Sequence, residues 1–309
     1  MTINPYSAEH PVPPDKFAGR SGQIAEFSRY LSDTIDGNPK NLAVLGVWGV
    51  GKTSLLWTFE HIAAEKSCTS ATIELGEATD SLVTLFETIT QNLATESAKN
   101  RRLETELYNF LNGLSFSVTY GPVGISYADR KKAMPNTLKF RQDLISIHER
   151  TKSPFLVMLD NAEHLINVKG SLLELRNTFQ TIQARARVPC MLILSGRETL
   201  FSDIHSASEP AARFFWPVEI DPFTFEETQE TIFLPLKNTD ITFSDECIRE
   251  IHRWTNGHPY FVQIFAYVLF DTRKRDLITI DDLNDQHSRI LSFVGKKLFL
   301  EYFYVFECK

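Results

Sequence analysis

The stretch Gly46-Val47-Trp48-Gly49-Val50-Gly51-Lys52-Thr53-Ser54 constrains this chain more than any other. It follows the apolar run Leu42-Ala43-Val44-Leu45 and leads into Leu55-Leu56-Trp57-Thr58-Phe59, so it joins a strand to a helix. It matches G-x-x-x-x-G-K-[ST], a phosphate-binding pattern that requires that context. The chemistry divides among the residues. Gly46, Gly49 and Gly51 accept positive φ and let the backbone N–H groups of this loop, Trp48 and Val50 included, close around phosphate oxygens. The helix beginning near Gly51 aims its positive dipole end at the same anion. Lys52 is expected to bridge the β- and γ-phosphates of ATP or ADP and the Thr53 hydroxyl to ligate Mg²⁺, with Ser54 closing the nucleotide-binding set.

Hydrolysis needs a carboxylate on a neighbouring strand end to hold the Mg²⁺ shell. The run Pro154-Phe155-Leu156-Val157-Met158-Leu159-Asp160 supplies it: a continuous apolar stretch, as expected of a parallel strand buried on both faces, ending in Asp160. The next place, where a second acid would serve as base, holds Asn161, which cannot take a proton. Glu163 is the nearest substitute, either as the water-orienting carboxylate or as a capping residue of the following helix. Ser195-Gly196-Arg197 ends another apolar run. There Ser195 is placed to orient water, and Arg197 either reads the γ-phosphate with its planar fork or is a surface charge. Arg213 is a further option, as an arginine finger reaching a neighbouring subunit's site. A slow or conditional ATPase follows from Asn161.

Strands alternating with helices predict an α/β chain with a parallel, three-layer sheet. The strands are expected at about 41–46, 70–75, 154–160, 190–195 and 213–219, with helices at 52–65, 80–112, 136–150 and 170–187. A β-hairpin within 114–127 reads as an insertion. From Asp221 the strand signal fades and helices are expected at 224–234, 243–255, 259–271 and 280–293. The organisation is thus an extended arm over 1–16 with four prolines, an ATPase domain over 17–220, a smaller helical lid over 221–293 and an apolar tail over 294–309. At 309 residues the chain exceeds one average domain, which agrees with this division. A net charge of −7 argues against a broad basic surface for nucleic acid and leaves a local patch open. Four scattered cysteines without C-x-x-C spacing give no zinc or disulfide pattern and fit a reducing cytoplasm. No apolar run approaches the ~20 residues of a membrane helix.

Phe-Ala-Gly-Arg at 17–20, Leu-Asp-Asn-Ala-Glu-His at 159–164, Ser-Gly-Arg at 195–197 and Gly-His-Pro-Tyr at 257–260 follow one another in that order. With the loop, they make residues 17–293 resemble the STAND and archaeal-type ATPases, relatives of the AAA+ origin-recognition ATPases. The resemblance implies an ASCE-type P-loop sheet in which the Ser195 strand separates the Asp160 and loop strands. It also implies a helical lid, with Gly19 and Arg20 beside adenine and Pro259, with His258, closing over the base. It further implies a winged-helix domain after the lid, and the tail fits that junction. Asn161 departs from the family pattern, and so does the absence of Arg from the first turns after Pro259. The function so implied is a switch coupling nucleotide state to lid movement and assembly, with a second copy or a protein effector as partner, in defence or regulation. A DNA-associated AAA+ ATPase and a non-hydrolysing nucleotide-binding scaffold are the alternatives.

Overall fold

The computed structural model describes residues 3–7, 10–99 and 137–307, with side chains to residue 295. The hairpin expected at 114–127 and the end of the 80–112 helical pattern lie outside the described residues. The chain forms two compact units, one of Gly22–Val47 and Leu56–Ile220, the other of Met1–Ser21, Trp48–Leu55 and Asp221–Lys309.

The first unit is built on five parallel strands. They are β1 (Asn41–Leu45), β2 (Thr69–Glu74), β3 (Phe155–Asp160), β4 (Cys190–Gly196) and β5 (Phe215–Glu219), in the order β2-β3-β4-β1-β5. Every residue of β1, β3 and β4 is buried, which explains why these three read as unbroken apolar runs rather than as alternations. The β4 strand, ending in Ser195 and Gly196, lies between β3 and β1, as the resemblance implies. Pro217 interrupts β5 without harm, because β5 is an edge strand paired only with β1 and the missing N–H costs no ladder bond.

Helices α1 (Ser21–Ile35), α2 (Lys52–Glu65), α3 (Leu82–Lys99), α4 (Thr137–Thr151) and α5 (Ser171–Ala184) follow the predicted periodicity. On one sheet face, Ala43, Leu45, Val157 and Leu159 share an apolar cluster with Leu85, Phe86, Phe140, Leu144, Leu175 and Phe179. Leu42 and Val44, one place over, point to the opposite face by the two-residue period of a strand. Three features differ from the sequence expectation. The helix expected from 170 is preceded by a 3-10 stretch, Ala162–Asn167, entered through Asn161 in the left-handed region (φ 53°). Two short helices, α6 (Leu200–Ala207) and α7 (Glu209–Ala212), occupy a stretch with no predicted element. Arg213, expected to start the last strand, instead caps α7 and pairs with Glu209.

In the second unit, α8 (Phe225–Phe233), α9 (Asp245–Thr255), α10 (Pro259–Thr272) and α11 (Ile280–Glu307) match the predicted helices, except that α11 runs on through the apolar tail. Two two-residue strands, β6 (Thr242–Phe243) and β7 (Leu277–Ile278), add a parallel ladder too short to announce itself in sequence. The arm is not merely extended. Tyr6 is 3% exposed, its hydroxyl donates to the Ile232 carbonyl at 2.6 Å, and its ring meets Phe243 and Phe270 edge-on.

The turn before α10 carries a strict demand. Gly257 has φ 67°, and a Cβ there would lie 2.1 Å from the Phe223 carbonyl oxygen, whose own N–H donates to the Gly257 carbonyl. Gly257→Ala therefore combines left-handed backbone strain with a backbone overlap, together about 3 kcal/mol or more. Urea unfolding is expected to show that loss. Gly22→Ala, where a Cβ meets nothing within 4 Å, serves as the neutral control.

Candidate nucleotide site

The loop that follows β1 is fixed by what its carbonyls do. Gly46 is not in the left-handed region; its N–H continues the β1–β4 ladder by donating to the Gly196 carbonyl at 3.3 Å. Gly49 (φ 71°) and Gly51 (φ 95°) supply the two positive-φ positions. Three successive carbonyls, those of residues 48–50, are each taken by a donor of the second unit. The Trp48 carbonyl accepts from His258 Nε2 at 3.0 Å, that of Gly49 from the Tyr260 N–H at 3.3 Å, and that of Val50 from Arg20 Nη2 at 3.2 Å.

In a planar trans peptide, C=O and the following N–H point opposite ways. Sequestering these carbonyls therefore turns the N–H groups of Gly49, Val50 and Gly51 to the other side, as a donor-lined anion cradle requires. A Cβ on Gly51 would meet nothing within 4 Å, whereas one on Gly49 would stand 2.9 Å from the His258 ring. The loop therefore approaches α10 closely at Gly49 and is open at Gly51.

The residues around the loop have definite tasks. Arg20 is 3% exposed, in the left-handed region, with its guanidinium 4.6 Å over the Phe223 ring. Burial lowers its pKa, and Glu227 and Asp221 work against that fall. The N–H groups of Gly19 and Arg20 donate to Glu230 and Glu227 at 3.1 and 2.7 Å. Glu227 also closes the capping box of α8 with Thr224, the one part of this arrangement that a T-x-x-E spacing makes readable in sequence. His258 is held below its usual pKa by burial, so the neutral Nε2–H form donates to Trp48 at neutral pH. Trp48, 49% exposed, packs edge-on against Tyr260 at 4.7 Å. Pro259 opens α10 at its first position. Ser54 Oγ accepts from the Val12 N–H at 2.9 Å, so this loop residue also fastens the arm. Lys52 and Thr53 begin α2, at the positive end of the helix dipole, which favours an anion.

In the sheet unit, Asp160, Glu163, Ser195 and Arg197 gather at the carboxyl ends of β3 and β4. Asp160 is 4% exposed, and its Oδ1 accepts from the Asn161 N–H at 3.0 Å and the Ser195 hydroxyl at 2.7 Å. Glu163 Oε1 lies 3.4 Å from Arg197 Nε, and its Oε2 is buried without a hydrogen-bond partner. Ser195 thus braces the carboxylate, while Arg197 and Glu163 engage one another. The Asp160 carboxylate is a hard oxygen donor of the kind Mg²⁺ prefers, and Mg²⁺ takes few protein ligands besides water and phosphate. Among the described residues, no group of three or more His, Cys, Asp or Glu is arranged to hold a metal by itself.

Burial pushes the Cys68 and Cys247 thiols up to about 11 and about 12, so neither is a nucleophile at neutral pH. Among the described residues, no helix is long and apolar enough to cross a membrane.

The chain is 23% identical over 286 residues to an uncharacterized HTH-type transcriptional regulator of Methanocaldococcus jannaschii, covering 84% of this chain and 64% of that protein. It therefore spans less than two thirds of that relative's length. Its fold is similar to the Walker-type ATPase of Pyrococcus abyssi, with a TM-score of 0.64 at 17% identity over 98% of this chain and 79% of that one. The Aeropyrum pernix ORC2 protein, solved in ADPNP–ADP complexes, gives 0.61 at 13% identity over 94% of this chain and 72% of its own. The model of the AAA ATPase domain matches residues 16–194, more than half of the chain. The chain belongs to the AAA ATPase domain family, a P-loop ATPase related to the AAA+ proteins.

Proposed function

We propose that this chain binds ATP and ADP with Mg²⁺ and hydrolyses ATP slowly or conditionally. The observation that carries the reading is the three sequestered carbonyls of Trp48, Gly49 and Val50, which leave the loop presenting donors to an anion. Lys52 neutralises phosphate charge, and Thr53 and Asp160 hold the metal. Mg²⁺, when bound, draws charge from the β- and γ-phosphate oxygens. Ser195 keeps the Asp160 carboxylate in one orientation. Gly19, Arg20 and Pro259 flank the base.

Arg197 makes the activity conditional. Its side chain is 74% exposed, so its pair with Glu163 is worth at most about 1 kcal/mol. A γ-phosphate competes well for that guanidinium, and ADP does not. Exchange of Glu163 for phosphate is then the step that distinguishes ATP from ADP and biases the helical lid, residues 221–293, toward a second state. Assembly with a second copy or a protein effector is the proposed output, in defence or regulation.

Titration calorimetry with ATP and ADP, with phosphate release measured with and without Mg²⁺, tests this reading. Arg197→Ala is expected to bind ADP as before and to lose about ten- to a hundredfold of its preference for ATP, the worth of a charge-assisted contact. No binding of either nucleotide at millimolar concentration would refute the function. An unchanged ATP preference in Arg197→Ala would refute the switch. DNA association is the second reading, supported by the similarity to the uncharacterized HTH-type transcriptional regulator of Methanocaldococcus jannaschii. Salt-dependent retention of this chain on duplex DNA would favour it.

A further inference from the structure

A hydrolytic site at the end of β3 lacks an acid at position 161, and Asn161 shows where one has gone. Its backbone is left-handed, its N–H is spent on Asp160 Oδ1, and its side-chain Nδ2 donates to Glu74 Oε1 at 3.3 Å. Glu74 is the last residue of β2 and stands in register with Asp160 across the β2–β3 ladder. The next N–H, of Leu75, donates to the Asp160 carbonyl at 3.0 Å, so the two strand ends are pinned together. The carboxylate missing from one strand end is thus present on the next, tied to the amide that replaced it.

Glu163 is in a different situation. Its Oε1 is engaged by Arg197 and its Oε2 is buried. A Cβ on Gly196 would come within 2.8 Å of Oε2, and another atom of the same Cβ's surroundings, Leu200 Cδ2, would stand at 2.7 Å. Oε2 therefore has little room to receive a water molecule. Glu74 is exposed, so water reaches it.

We infer that Glu74, oriented by Asn161, is the catalytic carboxylate that positions the attacking water in place of the absent acid at 161. This rests on the hydrolysis reading above. As the water oxygen forms its bond to the γ-phosphorus, one water proton passes to a Glu74 oxygen. The bond from the γ-phosphorus to the β–γ bridging oxygen breaks, and its electron pair leaves with ADP. The proton then returns from Glu74 to inorganic phosphate or solvent.

The test uses the full chain with Mg·ATP and compares E74Q with E163Q and wild type. Three quantities are read: phosphate release, affinity for a non-hydrolysable ATP analogue, and the melting midpoint. E74Q is expected to lose about a hundredfold or more in phosphate release, as when a positioned proton acceptor is removed. Its analogue affinity should stay within about threefold and its melting midpoint should not move, because Glu74 is exposed. E163Q, which frees Arg197, should lose turnover by at least tenfold less than E74Q. Near-wild-type release by E74Q overturns the assignment. So does a larger loss in E163Q, or a fall in E74Q analogue affinity that matches its fall in turnover. A wild-type chain that binds the analogue but shows no Mg²⁺-dependent release refutes hydrolysis itself, and Glu74's role with it.

Discussion

Lys52→Ala is expected to lower ATP turnover by about a hundred- to a thousandfold, the usual cost of removing one preorganised charge-stabilising donor from a reacting centre. The loop predicts why so little else should change. Its shape is set by hydrogen bonds from the His258 and Arg20 side chains and the Tyr260 N–H to the carbonyls of residues 48–50, none of which uses the Lys52 side chain. Leu55 and Leu56, fully buried in α2, anchor the helix start independently. The variant should therefore melt with the wild type while nucleotide affinity and phosphate release fall together. Turnover at the wild-type rate would remove Lys52 from the site and the phosphate-loop reading with it.

Asp160→Asn should be the second large effect, with Mg²⁺-dependent phosphate release down at least about a hundredfold, since loss of even an outer partner of a metal ligand costs ten- to a hundredfold. Asparagine keeps the oxygen that accepts from the Asn161 N–H and the Ser195 hydroxyl, so the strand end should survive and only the negative charge disappears. Asp160→Ala is the informative contrast. It strands the fully buried Ser195 hydroxyl, at a cost of about 1–3 kcal/mol in stability, whereas Asp160→Asn should melt near the wild type. Magnesium-free nucleotide binding should be nearly unaffected in Asp160→Asn. Retained Mg²⁺-dependent turnover in that variant would place the metal ligand elsewhere.

The parts of this chain that could be read in advance are those where one physical demand dominates the residue choice. Burial on both faces made β1, β3 and β4 visible as apolar runs, and the family resemblance implied that β4 lies between β3 and β1. The phosphate loop was legible because positive φ, anion charge and helix start each call for a particular residue type. What escaped depends on pairings between distant positions. Glu74 looks like any strand-end carboxylate until register sets it beside Asp160. Glu227 is readable as a helix cap, but its bond to the Arg20 N–H joins residues 207 apart. Short helices such as α7, four residues long, carry too few turns to show a period. Gly46, able to adopt positive φ, does not use that freedom and extends a ladder, because its N–H still has a strand to pair with.

Tyr6 has a consequence for how the protein is made. It is synthesised 226 residues before Ile232, its hydroxyl's acceptor, and its aromatic neighbour Phe270 comes later still. At ordinary rates of synthesis, about 5–20 residues per second, that is about 10–45 s during which the Tyr6 hydroxyl lacks its acceptor. The described strands of the sheet are complete by Glu219, so the sheet unit is able to close first, while the helical unit waits for the residues after Asp221. An N-terminal fusion that buries or displaces Tyr6 would therefore burden the later event rather than the earlier one, and would leave an intermediate with a finished sheet and an open helical core.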